Sequence, residues 1–283
     1  MTKRLNAEQI SGYWRDGFIY PIPVMSSNKA NKYRNLLEKF EREHPDYMSG
    51  IKRQKLHLIT TWMADLVRTS KIVDAVEDVL GPDILCWQTS LFIKEAKDPG
   101  FVSWHQDANY WGLSSYQVVT AWLALSPSTV ESGCMRMIAG SHDWQKVEHK
   151  DTFDKHNLLT RGQVMVMEFD EAKATDIVVQ PGEISLHHVN IAHSSAPNRA
   201  NDRRIGIAIR YITPCVKQVS GVPDSATLVR GTDKIGNFEA EPVPAYDFEP
   251  SAVALHNRVT STRSDFIYEG AKQRLPETTK PKS

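Results

Sequence analysis

The change of character at Gly81-Pro82 constrains the fold of this chain more than any other feature. Downstream of it, short runs rich in β-branched and aromatic residues recur at 84–94, 116–125, 163–168, 176–179, 183–188 and 204–213. Pro99-Gly100, Gly133, Gly140-Ser141 and Pro181-Gly182 punctuate them. Runs of this length, rich in Val, Ile and Thr and bounded by turn residues, read as strands. Many short strands after a helical preface predict a mainly β fold with flanking helices (α+β). Its core would be a double-stranded β-helix, a jelly-roll or cupin-like pair of sheets with helices packed outside.

Upstream, the spacing predicts helices. Asn6 can cap a first one through Trp14. Ser26-Ser27 precedes a charged run, 28–44, with Tyr33, Leu36, Leu37 and Phe40 at helical spacing. A third begins near Thr69 or Ser70. It should stop at Gly81-Pro82, because Gly suits the position after a helix and Pro cannot continue one. No internal repeat or linker divides the chain, which reads as one domain, 1–283. A mainly helical part, 1–82, precedes a jelly-roll core, 83–215, and a C-terminal extension, 216–283. From Ala240 onward, Pro242, Pro244, Pro250 and Pro276 give the tail a loose look, and 278–283 is expected to be disordered.

Charge excludes some partners. The chain has 34 basic and 34 acidic residues, so no electrostatic footprint for nucleic acid or an anionic membrane arises. No apolar run approaches the roughly 18 residues of a membrane span. Cys86, Cys134 and Cys215 are far apart and odd in number, which predicts inert thiols in a reducing compartment rather than a disulfide framework. The polar start, 1–18, resembles no signal peptide. These features predict a cytoplasmic protein.

The sharpest chemical motif is Trp104-His105-Gln106-Asp107. On an extended segment, residues two apart share a face, so His105 and Asp107 can offer an imidazole nitrogen and a carboxylate oxygen to one metal. A third ligand must come from elsewhere. The segment after Pro181-Gly182 supplies candidates at His187, His188 and His193. Two histidines and a carboxylate on one face of an octahedron leave open positions, as non-haem Fe(II) oxygenases require. Eleven residues beyond His193 lies Arg204, opening a strand; arginine's planar fork suits a carboxylate.

Together these segments resemble the phytanoyl-CoA dioxygenase (PhyH-like) family of Fe(II)/2-oxoglutarate-dependent oxygenases. The matching stretches are 90–94, 104–107, 120–125, 131–136, 139–142 and 193–204, in family order. The resemblance implies that His105, Asp107 and His193 ligate Fe(II). It implies that Arg204 and Ser195 hold the distal carboxylate of 2-oxoglutarate, with Trp122 as a wall of that pocket. The Ser-Ser-Ala-Pro-Asn after His193 selects it over His187 and His188. Spacing from His193 selects Arg204 over Arg203 and leaves Arg210 as a peripheral charge. Lys55 is matched to a family lysine near the co-substrate, and Gln88 is expected to face the site.

The implied reaction consumes O2 and 2-oxoglutarate, releases CO2 and succinate, and hydroxylates or further oxidises a small-molecule metabolite. Halogenating relatives lack the carboxylate ligand, so Asp107 argues against halogenation. The protein would act as a monomer or homodimer. Tyr110 and Trp111, just after Asp107, are expected either to pack or to line the substrate pocket. Rival readings are a metal-dependent hydrolase or epimerase, and a cupin-like metal-binding protein without turnover.

Overall fold

The computed structural model describes residues 2–144 and 146–267. Among the described residues the α-helices are α1 (Ala7–Asp16), α2 (Ser27–Glu43), α3 (Thr61–Leu66), α4 (Ser70–Leu80), α5 (Ala108–Trp111) and α6 (Pro250–Ile267). The strands are β1 (Phe18–Pro23), β2 (Ile84–Lys94), β3 (Val102–His105), β4 (Val118–Ala124), β5 (Met135–Ile138), β6 (His149–Asp151), β7 (Gln163–Met165), β8 (Ala174–Ile177), β9 (Glu183–His188), β10 (His193–Ser195), β11 (Arg204–Ile212), β12 (Ser225–Arg230) and β13 (Glu239–Ala240).

The helical preface follows its capping chemistry. Asn6 accepts from the Gln9 amide at 2.8 Å, and the Gln9 side chain accepts from the Asn6 amide at 2.9 Å, closing a capping box. Ser26 caps α2, and Gly81 terminates α4. The buried faces of α2 and α4, including Leu37, Phe40, Ile72 and Val76, pack on one side of a seven-stranded sheet ordered β1-β9-β4-β11-β2-β12-β13. A four-stranded sheet, β3-β10-β5-β8, covers the other side. This is the expected jelly-roll with helices outside.

Strand β11 shows how period-two alternation builds both layers. Ile205, Ile207, Ile209 and Tyr211 enter the core shared with the helices. The even-numbered residues Arg204, Gly206, Ala208 and Arg210 point the other way, between the sheets.

The C-terminal extension adds β12 to the main sheet. The stretch from Ala240 is more ordered than its prolines suggest, since it buries Glu241 and forms α6. Residues 278–283, expected to be disordered, lie outside the described residues. Cys86 and Cys134 are buried, whereas Cys215 is exposed and donates to the Gln117 side chain at 2.7 Å; all three are free. Among the described residues, no helix is long and apolar enough to cross a membrane.

Candidate metal and co-substrate site

Antiparallel pairing of β10 with β3 places His193 directly opposite His105. Their rings lie 4.0 Å apart between centroids. Asp107, on the turn leaving β3, brings Oδ1 to 3.5 Å from His105 Nε2. One donor atom from each of His105, Asp107 and His193 falls within 4.8 Å of the others. No other group of three or more His, Cys, Asp or Glu side chains among the described residues converges in this way.

Backbone carbonyls fix the histidine tautomers. His105 Nδ1 lies 2.9 Å from the Ser103 carbonyl, and His193 Nδ1 lies 3.0 Å from the Ile191 carbonyl. A carbonyl only accepts, so Nδ1 carries the proton and Nε2 keeps its lone pair for a metal. Burial, then the neighbouring His105, lowers the His193 pKa to about 4, which keeps it neutral near pH 7. Burial opposes the charge on Asp107. The adjacent His105, then His193 and Arg210, outweigh that and hold it below the usual carboxylate range. Two imidazole Nε2 atoms and an ionised carboxylate are the donor set that Fe(II) takes in a facial site.

Gln106 holds the turn in place. Its side chain donates to the Asn190 carbonyl at 3.1 Å and accepts from the Val147 amide at 3.0 Å. It thereby ties the turn bearing Asp107 to the chain leading into His193.

One cavity runs from this cluster between the sheets. At one end sits Arg204, only 1% exposed, with its guanidinium 5.4 Å from the Trp122 ring. Arg204 Nη1 donates to the Gly133 carbonyl at 2.7 Å, while Nε is buried without a partner. Burial lowers its pKa to about 10, so it stays charged. Gly133 has φ +70°, and a Cβ there would meet the Ala196 carbonyl at 2.2 Å. Only glycine lets this turn come so close. Ser195 lines the same end. Arg203 faces outward and is engaged by Glu41 at 2.8 Å and Glu95 at 2.8 Å. A buried, under-partnered guanidinium beside a serine and an indole fits a carboxylate that enters from the metal side.

Lys94 went unremarked in the sequence as a site residue. It pairs in register with Arg204, is fully buried, and its Nζ lies 2.7 Å from Ser195 Oγ. Burial, then the adjacent Arg204, lowers its pKa to about 6. By donating into the Ser195 oxygen, it turns the Ser195 hydroxyl proton outward. A charged residue ending a strand opposite an arginine was the available signal.

Other expected residues fall as follows. Gln88 lines the cavity, but six residues along β2 from Lys94, so it sits at the end remote from Arg204. Lys55 does not line the cavity. Its Nζ reaches Glu241 at 2.5 Å and the Ser225 carbonyl at 2.7 Å, in a buried knot that anchors the C-terminal extension. The expected co-substrate role is corrected on that ground. The sequence match overlooked that Glu241, distant in the chain, captures this ammonium. His187 lines the cavity with its ring 5.3 Å from His193, yet it is no part of the three-residue cluster. His188 faces away and packs on His142, whose Nε2 meets the Trp14 carbonyl at 3.0 Å. Tyr110 and Trp111 both line the cavity and also pack, on His149 and Trp87 respectively. Arg210, expected to be peripheral, is buried and lines the cavity.

Comparison with known proteins agrees with this layout. The sequence profile of the phytanoyl-CoA dioxygenase (PhyH) family matches residues 13–206. The chain is 27% identical over 179 residues to a probable alpha-ketoglutarate-dependent hypophosphite dioxygenase of Stutzerimonas stutzeri, covering 61% of this chain and 60% of that protein. It is 27% identical over 154 residues to an ectoine dioxygenase of Nocardia farcinica, covering 49% of this chain and 51% of that one. The match thus spans half to three-fifths of these curated relatives. Over its full fold it superposes on the apo non-heme monooxygenase ThoJ with a TM-score of 0.83 and 33% identity, covering 94% of this chain and 100% of that one. The profile match and this full-length likeness establish that the chain belongs to the phytanoyl-CoA dioxygenase family.

Proposed function

We propose that this protein is an Fe(II)- and 2-oxoglutarate-dependent dioxygenase that hydroxylates, or further oxidises, a small-molecule metabolite. The observation that carries the reading is the convergence of His105, Asp107 and His193 within 4.8 Å at the wall of a cavity whose far end holds buried Arg204. The two imidazole Nε2 atoms and the Asp107 carboxylate would hold the metal. Bound Fe(II) supplies the capacity to activate O2 with 2-oxoglutarate as reductant, giving succinate and CO2.

The chain's own residues bind and orient. Arg204 and the Ser195 hydroxyl would take the distal carboxylate of 2-oxoglutarate, and the Trp122 indole would hold the guanidinium flat. Lys94 would keep the Ser195 oxygen fixed. An arriving carboxylate favours protonation of Lys94, so the end of the pocket gains positive charge as it fills. Burial of these groups excludes water, which strengthens each contact. Asp107 fills the place that a halide would need, so the product should gain oxygen and no chlorine. A metal-dependent hydrolase would have no use for a buried arginine at this position. We further propose a cytoplasmic, monomeric or homodimeric protein.

The test is succinate formation by protein reconstituted with Fe(II), in the presence of 2-oxoglutarate and air. Succinate should require all three components and vanish in the Asp107→Ala protein. Metal-dependent turnover of an ester or phosphoester without 2-oxoglutarate would instead establish the hydrolase.

A further inference from the structure

The cavity holds a second buried guanidinium, Arg210, that co-substrate binding at Arg204 cannot reach. On β11, Arg204 and Arg210 face the same way, six residues apart, so their Cα atoms are separated by about 20 Å of extended strand. Five-carbon 2-oxoglutarate held at Arg204 and bound at the metal ends far short of that. Arg210 is 7% exposed. Its Nη1 donates to Ser90 Oγ at 2.7 Å, its plane lies 4.8 Å from the Trp111 ring, and its Nε is buried with no partner. Asp107 attracts it through space but, among the described residues, no carboxylate lies within 4 Å of it. Arg53, on the turn before Gln54, lines the same cavity half-buried and likewise has no ion pair among the described residues.

Around Arg210 a whole row of the sheet is under-bonded. Gln88 on β2, Arg210 on β11, Thr120 on β4 and His187 on β9 are consecutive partners across four strands. Each is at most 7% exposed, and each leaves one polar atom with no partner: Gln88 Oε1, Arg210 Nε, Thr120 Oγ1 and His187 Nδ1. Buried polar atoms are nearly always satisfied, so four open ones in a row on residues that line a cavity mark a place that a ligand completes. Arg210 and Thr120 offer N–H and O–H donors there. Gln88 Oε1 accepts, and so would take a hydroxyl or amine on the same molecule. Trp111, Leu158 and Leu159 give an apolar wall for its body.

We infer that the substrate carries an anionic oxygen group, carboxylate or phosphoryl, which binds Arg210 and Thr120 at the end of the cavity opposite the co-substrate, with Arg53 as a further cation on the cavity wall. This names a substrate class for the oxygenase proposed above and rests on that reading. Burial also lowers the Arg210 pKa, as expected of a guanidinium that awaits its counter-charge.

The test is anaerobic calorimetry on protein saturated with Fe(II) and 2-oxoglutarate, and in parallel on protein without 2-oxoglutarate. The probes are benzoate, phenylacetate and phenyl phosphate, set against benzamide, phenylacetamide and benzyl alcohol. At least one anion should bind about tenfold or more tighter than its neutral partner, since charge-assisted pairs are roughly twice as strong as neutral ones. Carboxylate against phosphate then identifies the group. The preference should disappear in Arg210→Gln, survive in part in Arg210→Lys, and weaken in Arg53→Gln, whose site is half-exposed and tolerant of change. Equal binding of anions and neutral partners overturns the inference, as does an absence of any probe binding while 2-oxoglutarate binds normally. Competition between the anions and 2-oxoglutarate overturns it too, because it puts them at Arg204. If 2-oxoglutarate fails to bind but the anion preference still needs Arg210, the anion site stands and the oxygenase reading falls.

Discussion

Gly206 offers a test of how Trp122 serves the co-substrate pocket. A Cβ built on Gly206 would lie 1.8 Å from Trp122 Cζ2 and 2.3 Å from Cε2. Ordinary contact starts near 3.4 Å, so the indole must retreat by 1.6 Å (3.4 − 1.8) or the strand must bend. The backbone of Gly206 is extended within β11, paired with Phe92 and Ala124, so alanine meets no dihedral penalty and the effect is one of space. The ring that must move is the one stacked on Arg204. Overpacking of this kind costs about 1–3 kcal/mol of stability. Misplacing a binding group by about 1 Å costs as much as a hundredfold in function. Gly206→Ala should therefore fold, melt a few degrees lower, and bind 2-oxoglutarate about 10- to 100-fold more weakly. Calorimetric titration with 2-oxoglutarate measures this. In a Trp122→Leu background the added methyl should have little further effect, because the two changes act through one contact. Unchanged 2-oxoglutarate affinity in Gly206→Ala would show that Trp122 does not position Arg204.

Arg204→Ala should weaken 2-oxoglutarate by about a hundredfold or more, from the ~3–5 kcal/mol of a broken buried pair. Arg204→Lys should recover part of that, and Arg203→Ala should leave the apparent KM for 2-oxoglutarate unchanged because that side chain faces Glu41 and Glu95. Glu241→Gln should lower the melting temperature strongly while sparing 2-oxoglutarate affinity, since the Lys55–Glu241 pair is structural; a selective loss of affinity would restore Lys55 to the site. His188 accepts from the Asn190 amide through Nδ1 at 3.1 Å, and burial, then His142, lowers its pKa to about 4. A depressed histidine pKa stabilises fully above about pH 6.5, and that stability is lost as pH falls toward 4. Urea unfolding at pH 7 and pH 5 should show His188→Gln losing about 2 kcal/mol less than wild type over that interval.

Much of the layout was legible because local rules and tertiary needs agree. The stretches 84–94 and 183–188 read as strands and are β2 and β9, since their residues are β-branched or aromatic and bounded by turn signals. Arg204 was separable from Arg203 by its spacing from His193, given that a strand sends neighbours to opposite faces. What stayed hidden depends on pairing between distant segments. Lys55 reads as a lysine near the co-substrate until Glu241, 186 residues away, is brought to it. Arg210 reads as peripheral until Gln88 and Thr120 flank it across the sheet, although one clue was present: small residues, Gly206 and Ala208, alternate with core isoleucines and mark the face it shares as a cavity wall. The tail from Ala240 reads as loose because its prolines are conspicuous, whereas the buried Glu241 that anchors it is a single residue.

His105, Asp107 and His193 are proposed to hold Fe(II) next to a 2-oxoglutarate site closed by Arg204. Anaerobic addition of Fe(II) and 2-oxoglutarate to the protein tests this most directly. Bidentate chelation of the co-substrate to protein-bound Fe(II) should give a weak visible charge-transfer band. The band should be lost in His105→Ala, Asp107→Ala and His193→Ala proteins that retain wild-type circular dichroism, and should need far more 2-oxoglutarate in Arg204→Ala. A full band in the His193→Ala protein, or none in the wild type, would contradict the account.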